Sequence, residues 1–315
     1  MKSTIIVLGY IFLRIKMSKI YHYTSSLGLL GIIRDGAIRC TNLKYLNDKL
    51  EHVHAIDFFY EECDRLKENA IDGTPFKKLY TTLASFIQKN IKDTYVACFT
   101  EKEDNTIHWL SYGRNDVNYS VEFDKDDLVY ASNVCGRKDF KEDAEFFLGK
   151  RKDNEVVSGE ILLKHFIPRF ECVKYNLDAI RELLSEDGVK KFGVQGNSMF
   201  ALSIYNELCF LFPSIKTEEW KEEKEWRIIL SERSSIDRVT GEYTHNPEKE
   251  RLMQWRENNG LLIPFVDFPI NRNIIKKITY HSREKNERIE DSLSLLKRIY
   301  NLDFEIKKSE SSYYR

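Results

Sequence analysis

Two glutamates and an arginine stand where a charged segment gives way to an apolar one. Glu223, Glu225 and Arg227 lead into the apolar run 228–230, a pattern typical of a polar turn that feeds a strand. Because alternate side chains of a strand share a face, these three are predicted on one face, with Trp226 in the core on the other. An acid pair flanked by an arginine at the entrance of a strand could present chemistry to a cleft. The alternative is a solvated turn whose Arg–Glu pair fixes strand register, since charge runs usually face solvent.

Two aromatic motifs carry further polar chemistry. His22 lies between Tyr21 and Tyr23 on a predicted first strand, so it faces a cleft if both tyrosines pack inward. Trp109 and Tyr112 are three residues apart and share one face of a predicted helical turn. A structural histidine and core aromatics are the alternatives. Placed on separate elements near strand ends, the two motifs and the glutamate pair could form one composite cleft.

A third kind of chemistry is metal binding. Asp48, Glu51 and His52 would line one face of a predicted helix, and carboxylate and imidazole groups there could hold a divalent cation. Acidic residues also concentrate at helix starts, where they complement the helix dipole. We therefore favour an acidic first turn and expect no metal, and we keep a metal-dependent hydrolase as an alternative.

Several common sites are excluded by the sequence. The glycines do not form a dinucleotide-binding or phosphate-loop motif, and the chain has no H-E-x-x-H motif, no paired cysteine–histidine zinc set and no serine nucleophile elbow. The net charge of −1 provides no general attraction to nucleic acid.

The elements that would position these residues indicate an α+β fold. Strands are predicted at 20–24, 37–41, 94–99, 117–123, 224–230, 261–268, 275–280 and 302–308, and helices near 26–35, 48–67, 79–90, 107–113 and 284–300. Strands separated by unequal helices predict a mixed, largely antiparallel sheet. Residues 132–215 are predicted as a mostly helical insertion within a single domain of residues 17–315.

The N-terminal segment 1–16 resembles a short signal, with Lys2 followed by an apolar stretch at 5–13. The stretch is too short to span a bilayer and has no small-residue cleavage site, so we expect Met17 to be the biological start and residues 1–16 to be a non-native extension. The short apolar stretch also predicts no membrane association. The six cysteines form no C-x-x-C pair, which predicts reduced thiols and a cytoplasmic location.

Short motifs spread over residues 20–315 resemble a bacterial family known as domain of unknown function 2971. The motifs are the segments 21–24, 47–48 with Glu51, 98–100, Trp109 with Tyr112, 223–227, and a terminal Ser311-x-x-Tyr314-Arg315. The resemblance is weakest over 132–215, and the family name carries no activity.

The order of His22, Tyr112 and Glu225 is more distantly similar to the His-Tyr-Glu arrangement of ADP-ribosyltransferases. The similarity implies an ADP-ribosyltransferase-like fold and NAD as substrate. His22 would bind a ribose, Tyr112 would stack on nicotinamide, and Glu225 would hold the nicotinamide-ribose hydroxyl. Glu223 would orient the acceptor, and the NAD site would also include Tyr23, Thr24, Trp109 and Arg227.

Cleavage of the bond to nicotinamide develops an oxocarbenium-like charge that a carboxylate stabilises, and the flat nicotinamide ring favours an aromatic contact. The acceptor stays open between protein, nucleic acid, a small molecule and water, as does the oligomeric state. A role in bacterial stress or phage defence is suggested by analogy with mobile transferase toxins. The alternatives are a non-catalytic nucleotide-binding or sensor domain and the metal-dependent hydrolase.

Overall fold

The computed structural model describes residues 18–46, 51–70, 74–89, 93–112, 117–134, 159–193, 198–233, 247–282 and 287–311. The strands are β1 (Lys19–Ser25), β2 (Ala37–Asn42), β3 (Thr94–Thr100), β4 (Val117–Asp124), β5 (Phe166–Cys172), β6 (Glu225–Glu232), β7 (Met253–Asn258), β8 (Leu261–Pro269), β9 (Ile275–Ser282) and β10 (Glu305–Lys308). The helices are α1 (Ser26–Leu30), α2 (Glu51–Asn69), α3 (Pro75–Lys89), α4 (Thr106–Tyr112), α5 (Lys125–Val134), α6 (Gly159–His165), α7 (Asp178–Leu184), α8 (Glu186–Lys190), α9 (Ser198–Leu211), α10 (Pro247–Glu250) and α11 (Glu287–Ile299).

All ten described strands belong to one sheet, and β10 against β9 is its parallel pair. The main path runs β10-β9-β4-β1-β3-β2-β8-β7, and β6 joins β3 and carries β5. The predicted α+β class with a mixed, largely antiparallel sheet is therefore confirmed.

The sheet branches at β3. One edge of β3 pairs with β6 along its full length, from Thr94 opposite Ser231 to Thr100 opposite Glu225. The other edge pairs with β2 at Tyr95 and Val96, and with β1 only at Thr100. Strands β1 and β2 therefore diverge from the middle of β3. The continuous apolar composition of this strand fits its central position.

The two faces of the sheet are covered by different layers. One face carries the main apolar core, to which α1, α5, α6 and α11 contribute Leu29, Leu128, Leu162 and Leu293. A second apolar core lies among α2, α3 and α7–α9. Phe210 of α9 packs with Val96 and Ile229, so this helical layer covers part of the opposite face.

The first helix is capped at both ends and has an irregular second half. The Ser25 side chain accepts a hydrogen bond from the backbone N–H of Gly28, and Gly36 ends the segment with φ +63°. Residues Gly31–Asp35 form a π-helical turn that the apolar spacing did not indicate. Glycine suits position 36 because a left-handed conformation is strained for residues with a Cβ.

Two strands and one turn differ from the sequence prediction. The region predicted as a helical insertion contributes β5, an edge strand that contains Pro168. Strand β7 was not predicted, because its mixed polar sequence at the sheet edge lacks an apolar alternation. The strand predicted from 224 begins at Glu225, and Glu223 ends a 3-10 turn, Glu218–Glu223.

Five cysteines lie in the described part of the chain and form no disulfide there: Cys40, Cys63, Cys98, Cys172 and Cys209. No helix among the described residues is both long and apolar enough to cross a membrane. The predicted N-terminal extension, 1–16, lies outside the described residues.

Candidate functional site: a buried cluster of paired charges

Four charged side chains are buried together at the start of β6. Lys216, Glu223, Glu225 and Arg227, here called the charge cluster, are each at most 7% exposed. The Lys216 Nζ lies 2.7 Å from Glu223 Oε2 and 3.1 Å from Glu225 Oε2. The Arg227 guanidinium binds both oxygens of Glu225, with Nε 2.7 Å from Oε1 and Nη2 3.1 Å from Oε2. Two carboxylates thus share one ammonium, and a guanidinium holds one of them.

Local backbone structure places the two carboxylates side by side. Lys224, with φ +45°, links the 3-10 turn to β6 and separates the glutamates. The Thr100 hydroxyl donates to the Glu223 carbonyl at 2.6 Å, and the backbone N–H of Glu225 donates to the Tyr175 hydroxyl at 2.7 Å. These bonds fix the turn against β3 and against the segment after β5, so the shared contact with Lys216 is built into the fold.

The two charge-cluster residues that belong to β6, Glu225 and Arg227, lie on the predicted face of the strand. Glu225, Arg227 and Ile229 share this face, whereas Ile228 and Leu230 belong to the main apolar core on the other face. Arg227 also donates from Nη1 to the Pro213 carbonyl at 2.7 Å. The carboxylates are consequently not the solvated turn that the charge run suggested as an alternative.

The two glutamates have opposite pKa shifts. Burial alone would raise the pKa of Glu225, but Arg227 and Lys216 outweigh it and lower the pKa to about 2. The pKa of Glu223 is raised by burial, which its contact with Lys216 only partly offsets. Environments that separate the pKa values of neighbouring carboxylates are common where one group must stay ionised while the other exchanges a proton.

Cys98 connects the charge cluster with His22. Its thiol hydrogen-bonds to Glu225, while its backbone carbonyl lies 2.8 Å from His22 Nδ1. This contact fixes Nδ1 as the protonated ring nitrogen and closes the edge of β3 where β1 and β2 diverge. Burial lowers the pKa of His22 more than this hydrogen bond raises it, which favours the neutral ring. His22 is therefore attached to the backbone next to the cluster.

His22 and Glu225 were expected to converge in one cleft, but the strand register places their side chains on opposite faces of the sheet. Tyr21 pairs with Thr100 and Thr100 with Glu225, so these three share one face. His22 and Thr24 alternate with Tyr21 and Tyr23 and lie on the opposite face, where the His22 ring contacts Phe99 at a centroid distance of 5.2 Å. Strand β3 separates the histidine ring from the glutamate carboxylate.

Tyr23 and Trp109, predicted as part of a cofactor site, are buried with Tyr21 in a small aromatic cluster. The Trp109 ring meets Tyr23 edge-on at 4.6 Å, and its Nε1 donates to Asp104 at 2.8 Å. The core-aromatic alternative thus describes these two side chains. The side chain of Tyr112 and the proposed metal ligands Asp48, Glu51 and His52 lie outside what the structure describes, and the described residues contain no metal-binding group of three.

His108 was not identified from the sequence. It stacks on Tyr23 at 5.0 Å, and its Nδ1 lies 3.1 Å from the Asn105 side-chain oxygen. Burial, reinforced by Lys102 and Lys216 and opposed by Glu225, lowers its pKa to about 4. The ring is thus neutral at neutral pH beside the charge cluster. Lys216 was missed as well, because no local pattern distinguishes it from other lysines.

Residues 108–228 match the model of a family described as protein of unknown function (DUF2971). No curated protein and no solved structure matches the chain. The matched segment runs from His108 into β6 and includes the whole charge cluster, whereas His22 precedes it. The match supports the family resemblance noted in the sequence, and the family description names no activity.

Proposed function

We propose that the protein cleaves the nicotinamide–ribose bond of NAD, as an ADP-ribosyltransferase or an NAD glycohydrolase. The observation that carries this proposal is the pair Glu223 and Glu225, two carboxylates held on one lysine with pKa values shifted in opposite directions. Paired carboxylates with separate roles are the usual machinery for breaking glycosidic bonds.

Each glutamate then has a distinct task. Glu225, ionised and fixed by Arg227, opposes the positive charge that develops on the ribose as the C1′–N bond breaks and nicotinamide leaves with the bonding electrons. Glu223, whose raised pKa favours proton binding, accepts the proton of the hydroxyl, amine or water that attacks C1′. His22 and Cys98 act as positioning residues, because His22 reaches Glu225 only through the Cys98 backbone and thiol.

The experiment measures nicotinamide release from NAD by the full chain and by matched variants. Glu225→Gln and Glu223→Gln are each expected to lower the rate by a factor on the order of 10²–10³, the usual effect of removing a positioned catalytic group. Glu222→Gln is the control, since Glu222 belongs to the same 3-10 turn, is 82% exposed and pairs with Lys102. It should leave the rate unchanged.

Folding must be monitored alongside the rate, because Glu225 is buried. Glu223→Gln, which leaves the contacts of Glu225 with Lys216 and Arg227 in place, provides the test in a folded protein. NAD turnover by a folded Glu223→Gln protein at the wild-type rate would contradict the proposal, as would the absence of NAD cleavage with water and with protein, nucleic-acid and small-molecule acceptors.

A non-catalytic domain is the second candidate. It is favoured by the saturation of Glu225, whose two oxygens are bound by Arg227 and Lys216 and whose side chain is 3% exposed. In this case the charge cluster only stabilises the fold. The wild-type protein would not turn NAD over, and Glu225→Gln would lower its stability. The metal alternative instead predicts that Glu51→Gln and a chelator abolish a hydrolytic activity.

The wider proposal of a role in bacterial stress or phage defence rests on analogy with mobile transferase toxins. A phage-challenge assay that compares the wild-type chain with Glu223→Gln tests it, and equal protection by both would separate such a role from NAD cleavage.

A further inference from the structure

A cavity of about 330 Å³ opens between β5 and the helices α7–α9. Its apolar part is formed by Leu183, Phe192, Phe210 and Leu211. This volume is at the small end of the range of ligand sites, roughly 300–1,000 Å³. The cavity therefore suits a small molecule with an apolar body.

One pair of charges in the cavity wall is rigidly engaged. The Arg169 guanidinium binds Glu207 with both of its terminal nitrogens at 2.6 Å and lies over the Phe210 ring at 4.0 Å. Because Arg169 and Glu207 bind each other through two hydrogen bonds and Arg169 lies against Phe210, both side chains are held in place and neither charge is available to a ligand.

Glu182 and Lys191 also line the cavity and lie 3.9 Å apart, which leaves two further charges of opposite sign. Glu171, two residues beyond Arg169 on β5, and Lys174, just after the strand, both contribute to the lining. Neither forms an ion pair or a side-chain hydrogen bond with any described residue, although both are partly buried. The cavity thus presents a carboxylate and an ammonium beside an apolar surface.

The backbone around these two residues is well anchored. The Lys174 N–H donates to the Ser214 carbonyl at 2.7 Å, and the Lys216 N–H donates to the Lys174 carbonyl at 2.9 Å. Glu171 lies opposite Arg227 in the register of β5 and β6. The two charges are therefore presented from fixed positions, as selective binding requires.

We propose that this cavity binds a small zwitterion with an apolar body, the chemistry shared by free apolar amino acids and their dipeptides. Glu171 receives the ammonium group, Lys174 receives the carboxylate, and the side chain lies against Leu183, Phe192 and Phe210. The site is separate from the glutamate pair and does not depend on NAD chemistry.

The test is calorimetric titration of the full chain with L-leucine, L-phenylalanine and leucyl-leucine. N-acetyl-leucine amide, which lacks both charges, and glycine, which lacks the apolar side chain, are the comparison ligands. We expect the first set to bind and the second set to bind at least tenfold more weakly. Preference for leucine over leucyl-leucine, or the reverse, shows which of the two lengths the cavity accepts.

Variants then locate the binding. Glu171→Gln and Lys174→Met should each weaken binding of the zwitterion about tenfold or more, since a hydrogen bond to a charged group contributes about 1.5–3 kcal/mol and 1.4 kcal/mol is a factor of ten. Lys190→Met is the control, because Lys190 lies on the neighbouring helix α8, pairs with Glu186 and does not line the cavity.

Three outcomes would overturn the proposal. They are the absence of heat and of NMR shift changes with every zwitterion at millimolar concentration, equal affinity for leucine and its blocked amide, and binding unaffected by the Glu171 and Lys174 variants. Unfolding midpoints within about one degree of wild type would show that these variants are folded.

Discussion

His108 is a buried neutral histidine among charged neighbours, and its protonation is linked to stability. Its pKa of about 4 in the folded chain lies below the ordinary value of 6.5, so the unfolded chain binds the proton more readily. Stability from this residue is complete above about pH 6.5 and is lost as the pH falls towards 4. The full shift corresponds to roughly 3 kcal/mol as an upper bound.

We therefore expect His108→Phe, which keeps a ring against Tyr23, to flatten the fall in unfolding free energy between pH 6.5 and 4. Urea titrations at half-unit pH steps measure it. His54→Gln, at an exposed position of α2, controls for the loss of a histidine. An unchanged slope in His108→Phe would show that other groups control this pH range.

The glutamate pair should respond unequally to neutralisation. Glu225→Gln leaves Arg227 without its carboxylate in a buried site, a change that typically costs about 3–5 kcal/mol. Glu223→Gln should cost less, because Lys216 and Arg227 both keep their contacts with Glu225. Urea unfolding at pH 7 compares the two, and equal losses would contradict the asymmetric arrangement.

Acid should remove the contribution of Glu225. Its pKa of about 2 in the folded chain lies below the ordinary 4.5, so its stabilisation is present above about pH 4.5 and is lost between 4.5 and 2. In Glu225→Gln the unfolding free energy should therefore depend less on pH in this window than in the wild-type chain.

At the scale of elements, the turn between β3 and α4 holds the end of the described chain. Asp104, with φ +46°, accepts hydrogen bonds from the Ser309 hydroxyl, the Glu310 N–H at 2.7 Å and Trp109 Nε1 at 2.8 Å. Burial opposes its ionisation, but these donors prevail and lower its pKa. One carboxylate thus connects β3, α4 and the segment after β10.

Asp104→Asn should release the segment 309–311, since an amide has one acceptor oxygen for three donors. We expect faster exchange of the Glu310 amide and a loss of about 1–3 kcal/mol in unfolding free energy. Asp303→Asn, at a fully exposed carboxylate paired with Lys297, is the matched control. Unchanged exchange at Glu310 in Asp104→Asn would show that β10 alone positions the segment.

Elements with a strong local pattern could be predicted from the sequence. The apolar run of β3 predicted a strand at 94–99, and the first helical segment was predicted near 26–35, close to its observed bounds. Strands β5 and β7 could not be predicted from the sequence. The proline of β5 and the polar residues of β7 do not favour a strand locally, and each strand is accommodated at a sheet edge by pairing with one neighbour.

The candidate site likewise combines features that the local sequence predicts with features that depend on the tertiary fold. Glu225 and Arg227 were placed on one face of a strand because their spacing alone determines it. Lys216 joins them through the tertiary fold, and the opposite placement of His22 follows from the pairing of Tyr21 with Thr100. Such long-range register leaves no trace in the local composition.

At the scale of the whole molecule, thiol exposure tests the packing. Among the described cysteines, Cys172 at the end of β5 is exposed, whereas Cys40, Cys63 and Cys209 are buried. Burial raises the pKa of Cys40 and Cys63, which slows their reaction further.

A maleimide reagent should therefore modify Cys172 before the other four described cysteines, and Cys172→Ser should remove that labelled peptide. Peptide mapping of the native protein checks it, and modification of Cys40 or Cys63 at the same rate would contradict the packing. After denaturation, with alkylation at lysis and no reductant, all six cysteines of the chain should titrate as free thiols.

The branching of the sheet at β3 has a consequence for synthesis on the ribosome. Strand β3 ends at residue 100, but the partner that covers its whole second edge, β6, begins at residue 225. An apolar strand with an open edge favours intermolecular pairing. A nascent chain arrested at residue 224 should therefore need a holding chaperone or aggregate, whereas the full chain, in which β8 and β9 also pair with β2 and β4, should not.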